Sequence, residues 1–245
     1  MESDKISISG LTDSATAASF PWLLKLGCSY LVYYAGETVN AALLDHLAGR
    51  RQDRRISIDM ETADGTRQMP ALPSAGLLPA PGEEIFVGTT IAEQLNFFSR
   101  GEVQTELEQS GLDNLFAFDF ASRLDRSVWE LASGERRCLL LVAQALADPR
   151  YWILHQPLAG MDGRRGAAIR AFIRDRCARG AIVIAGTARP AELLGCCPEL
   201  LVLGDDGQSV KYHGIGVEAA AFLAAELALP FRVLESALDL TGAVE

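Results

Sequence analysis

The stretch from Leu131 to Asp162, LASGERRCLLLVAQALADPRYWILHQPLAGMD, constrains the fold more than any other part of the chain. A polar turn containing a glycine, Ala132-Ser133-Gly134-Glu135, opens a long apolar run of helical character. Ala147-Asp148-Pro149 ends that run, because proline cannot continue a helix and biases the preceding residue towards extended backbone. Tyr151 to Leu154 is then a short, continuous run of strand-forming residues, and a turn follows that closes on Asp162. A long helix feeding directly into a fully apolar strand calls for a sheet covered on both faces, in which strands run largely parallel.

The rest of the chain repeats this alternation. Lys5–Leu11 alternates as a half-exposed strand, Tyr30–Tyr34 reads as a buried strand, and Ala41–Ala48 is a short helix stopped at Gly49. Arg55–Met60 is another alternating strand, with a polar turn at Ala63-Asp64-Gly65. Thr89–Ala132 is more polar and is expected to be mostly helical, as an inserted subdomain. Beyond Asp162, a helix is expected over Ala167–Cys177, buried strands over Ala181–Ala185 and Leu200–Leu203, a return strand to His213-Gly214, and a helix over Val217–Ala228.

Composition excludes several classes. With 245 residues the chain can bury a large core, yet no apolar run reaches the ~18 residues that would suggest a membrane span. No basic-then-apolar leader opens it. The net charge of −10 argues against binding a nucleic-acid backbone. Five cysteines, two of them adjacent (Cys196, Cys197), lack metal-ligand spacing and read as buried thiols in a reducing compartment.

In this layout the chain resembles the ATP-binding cassette (ABC) ATPases, whose pattern is an LSGGQ turn, a helix, a strand ending in Asp-Glu-Pro, and a loop ending in Asp. The resemblance spans about Gly27 to Gly214. It implies an α/β fold: a P-loop-type parallel core with N-terminal antiparallel strands and an inserted helical subdomain. The core is expected over 1–88 and 141–214, the helical subdomain over 89–140, and a C-terminal helical tail over 215–245.

The same frame shows what the chain lacks. A phosphate-binding loop needs small residues, so that backbone N–H groups can wrap the phosphates, a lysine for the terminal phosphates, and a hydroxyl for magnesium. Matched to that loop, Tyr34, Glu37 and Val39 stand at the three glycines, Asn40 replaces the lysine, and Ala41 and Ala42 replace the Ser/Thr pair. Glu37 would add a negative charge facing a polyanion, at ~4 kcal/mol for a unit charge 4 Å away in an intermediate dielectric. At the strand end, His155 and Gln156 occupy the places of the magnesium-binding Asp and the water-activating Glu. A hydrogen-bonded, partly buried histidine is expected there; a zinc site is not, since no second His or Cys lies at ligand spacing. Ala80 stands where the family has its glutamine, Thr187 where it has its switch histidine, and Thr12–Ala15 offers no aromatic to stack on adenine.

Two elements survive. Ala132, Ser133, Gly134 and Glu135 keep a signature-like turn at a helix N-terminus, and Leu158–Asp162 keeps the loop whose Asp162 family members press against a partner subunit. In ABC dimers each nucleotide lies between one subunit's phosphate loop and the other's signature, where backbone N–H groups and the helix dipole meet phosphate. The resemblance therefore implies a catalytically inactive subunit that binds no nucleotide in its own site. It would complete the ATP/Mg site of an active ABC ATPase partner and dock on an integral membrane transport subunit at the cytoplasmic face, with no membrane span of its own. The LAGMD loop, the acidic GEEIF segment and the Pro-containing tail are similar to the ATPase subunits of energy-coupling factor importers. Two other readings stay open: ASGE as a plain helix-capping turn, with Ser133 as the cap, on a pseudo-ATPase scaffold or regulator without a transport role; and a weak ATPase with unorthodox residues.

Overall fold

The computed structural model describes residues 5–34, 41–62, 64–112, 116 and 119–228. In chain order its strands are β1 (Lys5–Asp13), β2 (Ser19–Leu24), β3 (Ser29–Tyr33), β4 (Ser57–Thr62), β5 (Gly65–Met69), β6 (Gly76–Leu78), β7 (Tyr151–His155), β8 (Ile182–Thr187), β9 (Glu199–Leu203) and β10 (Ser209–Ile215). The helices are α1 (Ala41–Leu47), α2 (Ile91–Asn96), α3 (Val103–Ser110), α4 (Ser133–Leu146), α5 (Gly163–Ala178) and α6 (Val217–Glu226). All ten strands join one sheet in the order β5-β4-β1-β10-β9-β3-β8-β7-β6, with β2 on β1. From β9 through β6 the neighbours are parallel, and the β5-β4-β1-β2 end is antiparallel. This is the mixed α/β architecture expected.

The central strands show why their sequences are apolar at every position. In β3, β7 and β8 every residue is buried, and successive side chains enter opposite layers. Leu31, Trp152, Leu154, Val183 and Ala185 pack into the layer of α4 and α5. Tyr30, Val32, Ile153, Ile182 and Ile184 pack into the layer of α1 and the antiparallel strands. The sheet is thus the wall between two cores, and the parallel β3-β8-β7 unit delivers Tyr34, His155 and Thr187 to the same edge.

Some elements differ from the reading above. Strand β2 was not anticipated, because Pro21 interrupts its ladder; it pairs only with β1, an edge position where proline is tolerated. Among the described residues of the segment 89–132 the helical parts are α2, α3, Leu112 and two single 3₁₀ turns (Ala121–Arg123 and Val128–Glu130). Residues 140 and 141, where the expected core boundary falls, lie inside the single helix α4. At the C-terminal side, α6 covers β10, with Phe222 stacked on Tyr212 at 4.0 Å between ring centroids. The tail beyond residue 228 lies outside the described residues.

Candidate functional site

The strand-end residues singled out in the sequence meet where β3, β7 and β8 end. Glu37, Val39 and Asn40 lie outside the described residues. Tyr34 directly follows β3, is 2% exposed, and donates its N–H to the Thr187 carbonyl at 3.4 Å. Its ring lies against the Gly186 backbone together with Leu44 of α1: a Cβ at Gly186 would collide with the Leu44 side chain and stand 3.0 Å from Tyr34 Cε1. A large aromatic side chain therefore packs into the core directly after β3. Ala41 opens α1, and Ala42 is half-buried in its first turn. Ala80 follows β6 and accepts the Glu83 N–H in a turn at 3.0 Å.

His155 departs from expectation. It is 1% exposed rather than partly buried, and neither ring nitrogen has a hydrogen-bond partner. Asp45 of α1 stands beside the ring, with Oδ1 3.6 Å from Nε2, beyond hydrogen-bonding distance. Asp45 is itself held by Arg50 (3.4 Å), which also pairs with Glu83 at 2.9 Å. Burial, followed by the nearby Arg50 guanidinium, pushes the imidazole down to about 4, so the ring is neutral at ordinary pH. Burial likewise raises the Asp45 carboxyl. Gln156 adopts a left-handed backbone (φ 43°), donating its N–H to the Gly186 carbonyl at 2.7 Å. Gln156, Gly160 and Thr187 line a cleft of about 190 Å³ with Arg189 at its edge; Thr187 Oγ1 accepts the Arg189 N–H rather than facing a ligand.

One side chain that the sequence reading passed over ties these parts together. Arg137 of α4 is 1% exposed and donates from its two terminal nitrogens to the Pro79, His155 and Gln156 carbonyls (2.9, 2.6 and 3.0 Å) and to Glu84 (3.1 Å). It braces the helix that carries the signature-like turn against both the strand end and the segment after β6. A signal was present: Gly134, Arg137, Cys138 and Leu141 recur at helical spacing and form one buried face, so an arginine at that register is expected to need internal acceptors. Asp45 and Arg165 carried no comparable signal.

The signature-like turn and the loop ending in Asp162 form one unit. Ala132 is the N-cap of α4 and has no side-chain acceptor, so Ser133 is not the cap; it is the first helical residue, and it is exposed. Glu135 Oε2 instead reaches back to the Ala132 N–H at 2.9 Å, half of a capping box. Arg165 joins Glu135 (3.2 Å) to Asp162 (2.9 Å), and Asp162 caps α5 by accepting the Arg165 N–H at 2.8 Å. Gly134 is buried against this loop: a Cβ there would lie 2.9 Å from the Gly160 carbonyl oxygen. Its lack of a side chain is thus required inside this chain. A second surface lies on the other side of α4, where a groove of about 180 Å³ runs beside Ile85, Val87 and Phe98. Around it Ile85 (75%), Val87 (56%), Phe97 (63%) and Trp129 (64%) are exposed.

Mixed sheet, covering helices, signature-like turn and strand-end site together give the fold of the nucleotide-binding domains of ABC ATPases. Sequence relatives and structural neighbours support that family. No family model matches the chain. Among curated proteins it is 24% identical over 153 residues to the ribose import ATP-binding protein RbsA 1 of Rhizobium johnstonii, covering 59% of this chain and 30% of that protein. It is 40% identical over 76 residues to the lipopolysaccharide export system ATP-binding protein LptB of Acidithiobacillus ferridurans, 31% of each. It is 28% identical over 129 residues to the energy-coupling factor transporter ATP-binding protein EcfA2 of Mycoplasma pneumoniae, 53% of this chain and 40% of that one. The chain therefore spans under a third of the ribose importer relatives' length. Among solved structures, an ATP-binding subunit of an ABC transporter superposes with TM-score 0.70 at 18% identity, covering 96% of this chain and 99% of that one. A bacterial Atm1-family ABC exporter with ATP bound gives TM-score 0.73 at 12% identity, covering all of this chain and 43% of that one. Among the described residues no helix is long and apolar enough to cross a membrane.

Proposed function

We propose that the chain is a catalytically inactive ATP-binding-type subunit of an ABC transport complex, of the energy-coupling factor kind, paired with an active ATPase subunit whose ATP/Mg site its Ala132–Glu135 turn completes. The observation that carries this reading is His155, a neutral and nearly inaccessible imidazole at the strand end where magnesium chemistry needs an anionic oxygen ligand. Gln156 beside it has no carboxylate to accept a proton from water. Ala132 and Ser133, in contrast, are exposed at the start of a fourteen-residue helix, where N–H groups and dipole favour a phosphate. The apolar rim at Ile85, Val87, Phe97 and Trp129 supports an integral membrane subunit as the second partner. In such an assembly the chain sits on the cytoplasmic face through its partners.

The test follows from the packing of the turn. Gly134→Asp would strike the chain's own Gly160 backbone, so its effect is mixed; Ser133→Asp sits at an exposed position and probes the partner's nucleotide more directly, with Ser133→Ala as the control for its contact with Gly160. A carboxylate beside the γ-phosphate costs about 2–4 kcal/mol at an intermediate dielectric. Ser133→Asp should leave the complex assembled and slow its ATPase at least tenfold, whereas His155→Ala should leave that rate nearly unchanged. One observation favours the scaffold reading: Gly134 and Glu135 already have roles inside this chain. An unaltered rate in Ser133→Asp would establish it.

A further inference from the structure

Glu135 is the third residue of α4, and its carboxylate meets two opposed demands. One oxygen closes the start of the helix by accepting the Ala132 N–H at 2.9 Å. The same placement sets a full negative charge at the helix end that the reading above gives to a partner's phosphate. Left alone, that charge opposes the attraction of the N–H groups and the helix dipole for the nucleotide. The second carboxylate oxygen, however, accepts from Arg165 Nη2 at 3.2 Å. Among the described residues Arg165 is the one cation paired with Glu135.

Arg165 lies in the first turn of α5, and its other terminal nitrogen donates to Asp162 Oδ2 at 2.9 Å. The rigid guanidinium fork thus spans two carboxylates, one on each segment. The Glu135 and Arg165 side chains are 19% and 25% exposed, so water and salt screen this pair less than a fully exposed one. Asp162 does not depend on the guanidinium for its place, because its Oδ1 also accepts the Arg165 backbone N–H at 2.8 Å. Loss of the side chain therefore falls mainly on Glu135. The two segments touch directly as well: a Cβ on Gly160 would stand 3.3 Å from Ser133 Oγ, so the loop carries the guanidinium to the turn.

We propose that Arg165 is a positioning residue for the composite ATP site. It neutralises the Glu135 carboxylate and holds it to its capping role, so that the turn offers N–H groups and dipole to the partner's nucleotide without an opposing charge. This role rests on the partner-site reading above and adds the residue that sets the site's affinity for ATP. Steady-state ATPase kinetics of the assembled complex test it. A bare carboxylate repels bound ATP and the transition state alike, which raises KM and spares kcat. Arg165→Gln should raise KM for ATP by about fivefold or more, the worth of one partly shielded charge contact, and change kcat by less than about twofold. Adding Glu135→Gln should bring KM back to within about twofold of the parent, because glutamine still caps Ala132 but carries no charge. Adding Glu130→Gln instead, an equal change of net charge at an exposed position outside the pair, should not. Arg165→Lys, which keeps the charge without the fork, should fall between the parent and Arg165→Gln. Equal rescue by Glu135→Gln and Glu130→Gln would reduce the effect to general charge and overturn the proposal. An unchanged KM in Arg165→Gln, with Ser133→Asp still slowing the complex, would overturn it and leave the partner-site reading standing. If neither substitution alters the kinetics, both fall together.

Discussion

His155 is a buried base whose neutrality the fold enforces, and that makes stability depend on pH in a calculable way. Unfolded, its imidazole titrates near the ordinary 6.5; folded, it is held down to about 4. The Arg50 and Arg137 guanidiniums oppose a proton on the ring, and the raised Asp45 carboxyl 3.6 Å away gives it little compensation. Below 6.5 the unfolded chain takes up a proton that the folded chain refuses, so stability is fully present above that pH and is lost as pH falls towards 4. At 1.36 kcal/mol per pH unit the whole effect is about 3 kcal/mol, and the part lost between pH 7 and pH 5 is about 2 kcal/mol. Urea unfolding at the two pH values measures it. His155→Leu, which removes both orphan nitrogens and keeps the site apolar, should lose about 2 kcal/mol less than the parent chain over that interval. His46, also lowered by burial, titrates in the same direction, but it remains in both proteins and cancels in the comparison. If the parent and His155→Leu weaken equally between pH 7 and pH 5, the imidazole is not held neutral by burial, and the account of the strand end is wrong.

Other outcomes are expected. Arg137→Ala, which leaves three carbonyls and the Glu84 carboxylate without their donor, should cost about 3–5 kcal/mol by urea unfolding, and Arg137→Lys should recover only part, because one ammonium cannot span those acceptors. The isolated chain should show no micromolar, magnesium-dependent ATP binding by calorimetry. Ile85→Asp and Phe97→Asp, both at exposed positions, should leave the melting temperature within a few degrees of the parent yet reduce recovery of the membrane subunit in detergent pull-downs.

Period and residue type alone carried much of this molecule. Continuous apolar runs at Tyr30–Tyr34, Tyr151–Leu154 and Ala181–Ala185 stand for buried parallel strands because both faces of such strands meet a core, and Pro149 and Gly49 mark helix ends through backbone sterics. The collinear order of those elements also identified which residues meet at the strand end, since parallel neighbours deliver their C-terminal ends to one edge. Burial and partners are another matter, because they depend on which distant segments pack there. Nothing local to His155 announces Asp45, Arg50 and Arg137 around it, or that its two nitrogens go without acceptors. Ser133 looked like a helix cap, but it is the first helical residue: the cap position falls one residue earlier, at Ala132, and the capping carboxylate comes from Glu135. The space beside Gly134, too, is filled by the Gly160 carbonyl of a loop 26 residues further on, which nothing local to the turn reveals. Contacts of that kind join residues far apart in sequence, and only the three-dimensional packing of the chain decides them.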